Sequence, residues 1–275
     1  MTQQEKAQHL RHLHRPGDPL VVANAYDVSS ARIFEEAGFP VIATSSAGVA
    51  NVLGFADGER IPLADMLDMV RRIARACAVP VTADMEGGYG DVVATARGIV
   101  EAGAVGFNYE DGRERPTPHL IDIDEMCAGI RGAVEEGRKR GVDLVINART
   151  DAYLRGVIPP DQCFDESVRR AKAYIEAGAA CAFIPGVKDE QTIAALVKAI
   201  SAPINILAVA GAPPIARLRE LGVARVSIGS GPARAAQGLV KRIAEELRDH
   251  GTYRSMTEGG MNFLEANAMF LPELK

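Results

Sequence analysis

A helix ending in a glycine and running straight into a short apolar strand is the phrase that most limits what this chain can fold into. It occurs in "EEAGFPVIATSS" from Glu35, "VEAGAVGFNYED" from Val100, "IEAGAACAFIPG" from Ile175 and, varied, "RELGVARVSIGS" from Arg219. In each, the glycine occupies the C′ position, where a left-handed backbone strains any residue with a Cβ. Two further entries into a strand use proline, "CAVPVTAD" from Cys77 and "ISAPINILA" from Ile200. With "DPLVVANAYD" from Asp18 and "GVDLVINARTD" from Gly141, eight strands are predicted, at 20–24, 41–44, 81–84, 105–110, 144–149, 181–185, 204–208 and 226–229.

Stretches of helical period, such as "ADMLDMVRRIARACA" and "PARAAQGLVKRIAEELRDH", lie between them. Continuous apolar strands alternating with helices predict an α/β protein with a parallel sheet covered by helices, and eight of them predict closure into a (β/α)8 TIM-type barrel. With 275 residues, the chain suits one such barrel over 1–250, followed by a C-terminal helical extension at 251–275. That extension carries Met261, Phe263, Leu264, Met269, Phe270 and Leu271, too apolar for a solvated tail, and predicts a homo-oligomer, a tetramer or dimer, in which another subunit covers it.

The net charge is −5 and no cluster of Lys and Arg marks a nucleic-acid or anionic-lipid footprint, so a small molecule is the expected partner. The four cysteines, Cys77, Cys127, Cys163 and Cys181, form no CxxC pair and read as reduced thiols of a soluble, cytoplasmic protein. No apolar run approaches the length of a membrane span. The histidines His9, His12 and His14 read as a solvated face, and "SIGSGPAR" from Ser227 as a steric turn rather than a phosphate cradle.

Barrels of this kind build their sites at the C-terminal ends of the strands, and there the polar residues collect. Asn24 follows the first strand, Thr44, Ser45 and Ser46 the second; Asp84 and Glu86 end the third, Asn108, Glu110 and Asp111 the fourth, and Asn147, Arg149 and Asp151 the fifth. Residues two apart face the same side, so Asn108 with Glu110, and Asn147 with Arg149, point together into the mouth. Several acids meeting there repel one another unless a cation joins them. With no HExxH and no His/Cys set at zinc spacing, a hard cation such as Mg²⁺, held by one or two carboxylates directly, is expected. The glycines Gly87, Gly88 and Gly90 could simply make a tight turn, but beside the acids of the third and fourth strands they read as letting the backbone approach a ligand at a metal site.

The stretches "AYDVSSARIFEEAGFPVIATSSAGVANVLGFADGE", "VPVTADMEGGYGD", "GAVGFNYED" and "INARTDAYL", in this order from Ala25 to Leu154, resemble the isocitrate lyase and phosphoenolpyruvate mutase superfamily. The resemblance implies a Mg²⁺ site, with Mn²⁺ as a substitute, at Asp57, Asp84, Glu86 and Glu110, Asp84 being the direct ligand. It implies that Tyr26, Ser45, Ser46, Ala47, Asp84 and Arg149 receive the substrate, and that Arg149 faces its carboxylate and enolate. The implied activity is a Mg²⁺-dependent carbon–carbon lyase acting on a small 2-oxo or 2-hydroxy carboxylate.

Departures from the pattern are specific. The family's lyases carry a Lys-Lys/Arg-Cys-Gly-His loop after the fourth strand, whose cysteine is the general acid; here the region reads "EDGRERPTPHLIDIDE". His119 is either a replacement acid, with Glu110 and Arg149 as catalytic partners, or a solvated loop histidine. Ala43, Pro185 and Leu207 stand where the family has an aromatic residue, Glu or His, and Asn. Weak or no isocitrate or methylisocitrate lyase activity is therefore expected. An oxaloacetate-type decarboxylase or hydrolase, or a phosphonopyruvate P–C enzyme, is the alternative, and a non-catalytic binder of Mg²⁺ and a 2-oxo acid is the rival of another class.

Overall fold

The protein is described here from a computed structural model covering residues 1–271. Its strands are, in chain order, β1 (Leu20–Ala25), β2 (Ile42–Thr44), β3 (Val81–Asp84), β4 (Gly106–Glu110), β5 (Gly112–Arg113), β6 (His119–Leu120), β7 (Val145–Arg149), β8 (Cys181–Phe183), β9 (Ile204–Leu207) and β10 (Arg225–Ser227). Eight of them close a parallel barrel in the order β1-β10-β9-β8-β7-β4-β3-β2. These are the eight strands expected from the sequence, with ends differing by at most two residues. The short strands β5 and β6 form an antiparallel ribbon beside the mouth. Strands of two residues leave no periodic trace, so they were not expected.

The repeated phrase has the backbone its glycine demands. Gly103 ends the helix Val92–Ala102 at φ 91°, and Gly38, Gly178 and Gly222 repeat the conformation at 89°, 114° and 85°. Helix starts are fixed by acids: Asp27 accepts from Ser30 N (2.7 Å), and Asp91 from Val93 N and Ala94 N (3.0 Å each). Between helices and barrel the core is apolar. Phe107, Ile146, Ile99 and Met126 are fully buried, each adding roughly 1.5–3 kcal/mol by leaving water. All four cysteines are buried and none is in a disulfide. No helix among the described residues is long and apolar enough to cross a membrane.

Adjacent acids at the end of β4 serve different layers. Glu110 points into the barrel, whereas Asp111 turns outward. There it accepts from Tyr174 Oη (2.7 Å), Arg170 Nη1 (3.0 Å) and Asp151 N (2.9 Å) with no solvent exposure.

At the opposite end the helix Gln3–His12 covers the barrel floor. His9 and His12 are exposed, but His14 is buried, which corrects the expectation of a solvated face for all three. Its Nδ1 lies 2.8 Å from Leu10 O and its Nε2 3.4 Å from Nη1 of Arg225, a fully buried guanidinium inside the barrel. A carbonyl only accepts and a guanidinium only donates, so the ring is neutral with its proton on Nδ1. Burial, with the Arg225 charge adding to it, pushes His14 down to about 3.

After the long helix Gly231–His250 come two short helices, Arg254–Thr257 and Phe263–Ala268. Met269 is buried, whereas Phe263 and Leu264 are 79% and 73% exposed, and Met261, Phe270 and Leu271 are exposed too. The final residues of the expected extension, 272–275, lie outside the described residues.

Candidate active site at the barrel mouth

Asp84 ends β3 and is held from every side. Its N–H donates to Thr44 Oγ1 (2.9 Å), Oδ2 accepts from Ser46 N (3.1 Å) and Ser46 Oγ (2.9 Å), and Oδ1 accepts from Asn108 Nδ2 (3.2 Å). Asn108 is oriented in turn by Asn147 Nδ2, which donates to its Oδ1 at 2.8 Å. This chain of amides follows from register: Asp84 pairs with Asn108, and Asn108 with Asn147. Across the mouth, Asn24 Oδ1 accepts from Ile228 N (2.9 Å) and Gly229 N (3.0 Å). Two amides of "SIGSGPAR" are thus used within the protein.

Ser45, Ser46, Ala47, Asp57, Asp84 and Arg149 line one cavity of about 150 Å³. Its remaining wall sets the apolar Leu154, Phe183, Pro185 and Leu207 beside the uncharged polar Asn24, Asn108, Ser227 and Ser230, and among the described residues Arg149 is the one cation on it. Arg149 also stands 5.8 Å from the centre of the Phe183 ring.

Glu86 sits beside a second cavity of about 200 Å³, together with Glu110, Arg113 and Arg155. Its Oε2 accepts from Gly58 N and Glu59 N, both at 2.9 Å, so the acid at the tip of β3 holds the loop that carries Asp57. Glu86 has φ 49°, left-handed although it is not glycine, a conformation costing roughly 1–3 kcal/mol that recurs at functional sites.

The acids disturb one another. Burial, then the Asp57 and Asp84 charges, push Glu86 up to about 8; burial, then Asp84, raise Asp57 above the usual carboxylate range. Such a cluster costs free energy that a divalent cation would return, and its donors are all oxygen, the set a hard cation prefers. Among the described residues no three carboxylate, imidazole or thiol groups form a ready-made cage. A cation here would bind one or two carboxylates directly and complete its shell with water and substrate oxygens.

The four expected metal acids are therefore not equivalent. Asp57 and Asp84 face the first cavity. Glu110 is engaged elsewhere, because β4 and β7 place it opposite Arg149: Arg149 Nη1 lies 2.5 Å from its Oε2, and Arg155 Nη2 3.3 Å from its Oε1. Burial raises the Glu110 carboxyl, with Arg149 opposing. Arg149 also grips Asp151 through Nε (2.6 Å) and Nη2 (3.0 Å). Burial disfavours its charge, but Glu110 and Asp151 outweigh that and hold it above its ordinary value.

Two expected site residues stand apart. His119 is exposed, its Nδ1 2.8 Å from Thr117 O, and it lines neither cavity, since its place on the ribbon turns it to solvent. Tyr26 is half-buried behind the serine loop, where a Cβ on Gly48 would come within 2.7 Å of its Cβ, and it lines neither cavity. Sequence reasoning missed Glu59, Arg113, Arg155 and Phe183. Only "GRER", basic residues directly after the fourth strand's acids, hinted at Arg113.

The turn after Glu86 differs from a ligand cradle. A Cβ on Gly87 would lie 2.4 Å from Cζ and Nη1 of Arg113, so this glycine makes room for a guanidinium of the chain itself.

The sequence matches the phosphoenolpyruvate phosphomutase family over residues 10–248. It is 31% identical to 2-methylisocitrate lyase of Escherichia coli, with 90% of this chain and 89% of that protein covered. It is 33% identical to an oxaloacetate decarboxylase of Rhodopseudomonas palustris, with 86% and 82% covered. The structure resembles that of phosphonopyruvate hydrolase in complex with oxalate and Mg²⁺, with a TM-score of 0.84, 27% identity, and 98% and 95% of the two chains covered. With a barrel of this topology and a family match across nearly all of it, the chain belongs to the phosphoenolpyruvate phosphomutase family, within the PEP mutase/isocitrate lyase superfamily.

Proposed function

We propose that the protein is a Mg²⁺-dependent lyase-type enzyme that breaks a carbon–carbon bond of a small 2-oxo or 2-hydroxy carboxylate through an enolate. One observation carries the reading: Asp84, oriented by Ser46 and Asn108, faces a small cavity that also holds Asp57 and Arg149. Mg²⁺, or Mn²⁺ in its place, would be held by Asp84 with Asp57 and Glu86 acting through water, and supplies positive charge where an enolate oxygen develops. Ser45, Ser46 and Ala47 receive the carboxylate. Arg149 adds a preorganised cation on the side of the developing charge.

The lack of a second cation on the wall favours a second, narrower reading. Leu154, Phe183, Pro185 and Leu207 offer no partner to a distal carboxylate, Ser227 and Ser230 offer it no charge, and His119, the remaining candidate acid, faces solvent. A carboxylate set against such a wall is poorly solvated and leaves readily as neutral CO₂, a bond-breaking step that needs no general acid. An oxaloacetate-type decarboxylase fits this, as does the named activity of the Rhodopseudomonas relative.

The apolar extension supports a homo-oligomer, and four cysteines without a disulfide support a reducing, cytoplasmic setting. The test is a thermal-shift screen of metal-stripped protein against Mg²⁺ with pyruvate, oxaloacetate, 2-oxoglutarate, phosphonopyruvate and methylisocitrate, with product analysis. A Mg²⁺-dependent shift with turnover of a 2-oxo acid is expected. A shift without turnover would mark a binder, and no shift would refute the reading.

A further inference from the structure

Arg113 lies among acids yet spends its charge on the backbone. Its Nη1 donates to Glu110 O (2.7 Å) and Gly112 O (3.0 Å), and its Nη2 to Gly87 O (2.9 Å). Glu110 and Glu114, which line the same cavity, pair with Arg149 and Arg155 instead. The carbonyls that Arg113 holds are informative. One belongs to Glu110, and another to the residue directly after Glu86.

Around these carbonyls the main chain is least secured by regular structure. The ladder between β3 and β4 ends with Glu110 N donating to Glu86 O at 2.9 Å. Beyond it the chain turns through left-handed residues at Glu86, Gly88, Tyr89 and Gly90. Arg113 adds a cross-link one residue past the last rung. Space for it is made by Gly87: an ideal Cβ there would meet Arg113 Cζ and Nη1 at 2.4 Å and Nε at 2.9 Å. Any other side chain at 87 would displace the guanidinium.

We propose that Arg113 is a positioning residue: it clamps the tips of β3 and β4 and thereby fixes Glu86 beside the cation site and Glu110 against Arg149, with Gly87 as its seat. This rests on the cation site proposed above. Its reach extends one step further, because Glu86 carries the amides of Gly58 and Glu59 and so places Asp57. The loop after β4 then serves as a fixed brace for the acids, a role its "GRER" sequence can fill without a cysteine.

The test uses Mg²⁺ alone, titrated calorimetrically into the full-length, metal-stripped protein, with wild type and Asp84→Asn as reference points. Arg113→Ala is expected to weaken Mg²⁺ roughly 10–100-fold, the usual effect of losing a partner that orients metal ligands. Gly87→Ala should cost as much in the wild type and nothing further in the Arg113→Ala background, and Arg113→Lys should recover part of the loss. In metal-free protein, Arg113→Ala should also speed amide exchange at Gly58 and Glu59. Wild-type Mg²⁺ affinity in folded Arg113→Ala or Gly87→Ala protein would overturn the assignment, as would additive losses in the double variant. If Arg113→Ala does not fold, Gly87→Ala and Arg113→Lys decide the matter. If wild-type protein binds no Mg²⁺, the cation reading fails by itself, and unchanged amide exchange at Gly58 and Glu59 is then what refutes the clamp.

Discussion

Glu86 offers the most direct measurement of the electrostatic cost of the site. Its carboxyl, ordinarily near 4.5, is pushed up to about 8 by burial and by Asp57 and Asp84. The metal-free folded protein therefore retains a proton between those values that the unfolded chain releases. This contribution to stability is complete below pH 4.5 and is lost as pH rises through 8. At about 1.36 kcal/mol per unit, it falls by about 3 kcal/mol between pH 6 and pH 9. Glu86→Gln, which keeps the shape without the charge, removes this component. In EDTA, urea unfolding at the two pH values should show wild type losing about 3 kcal/mol more than the variant. Saturating Mg²⁺ should flatten the wild-type curve, because the cation then takes the place of the proton. Parallel pH profiles for wild type and Glu86→Gln in EDTA would refute the reasoning.

Other expectations follow from the same geometry. Asp84→Asn should abolish Mg²⁺ binding and turnover while leaving far-UV circular dichroism unchanged; Ser46→Ala, which removes one hydrogen bond to a charged acceptor, should weaken Mg²⁺ through about 1.5–3 kcal/mol of lost orientation, read by calorimetry. A Cβ at Gly112 would lie 2.3 Å from Asp151 Oδ2 and 2.8 Å from Arg155 Nε, so Gly112→Ala should disturb the pairing around Arg149 and lower turnover more than Tm. His14, held near 3 against an ordinary 6.5, contributes stability that is present above pH 6.5 and lost as pH falls toward 3. At pH 4.5 that loss is about 3 kcal/mol, and His14→Gln should be free of it in melts at pH 7 and 4.5. Removal of 251–275 should reduce the oligomer, read by light scattering.

Much of the barrel was legible because its grammar is local. A glycine such as Gly103 reports its own left-handed backbone, and the strand after it reports its burial, without reference to any distant residue. The placing of Asp84 at a strand end was legible for the same reason. Pairings that depend on how strands slide past one another were not: Glu110 meets Arg149 through the register of β4 and β7, and both sit at positions that by themselves read as free to face a ligand. Arg225 and His14 defeated sequence reading differently. Charged and titratable side chains are rarely fully buried, so nothing in "GVARVSIGS" announces a guanidinium inside the barrel. Gly87 read as part of a ligand cradle because the guanidinium it accommodates comes from 26 residues further along the chain.

The neighbouring acids Glu110 and Asp111 carry a consequence for any survey of this enzyme by mutation. One lines the cavity beside Glu86 and pairs with Arg149, and the other bolts the wall to Arg170, Tyr174 and the backbone of Asp151. Replacing Asp111 strips the counter-charge from a buried guanidinium, a change of the size that unfolds proteins, and in a crude activity screen it would be as silent as the loss of Glu110. Adjacent positions would then be scored alike for opposite reasons. Only the quantity of folded enzyme recovered separates them: it should be normal when Glu110 is changed to Gln and sharply reduced when Asp111 is changed to Asn.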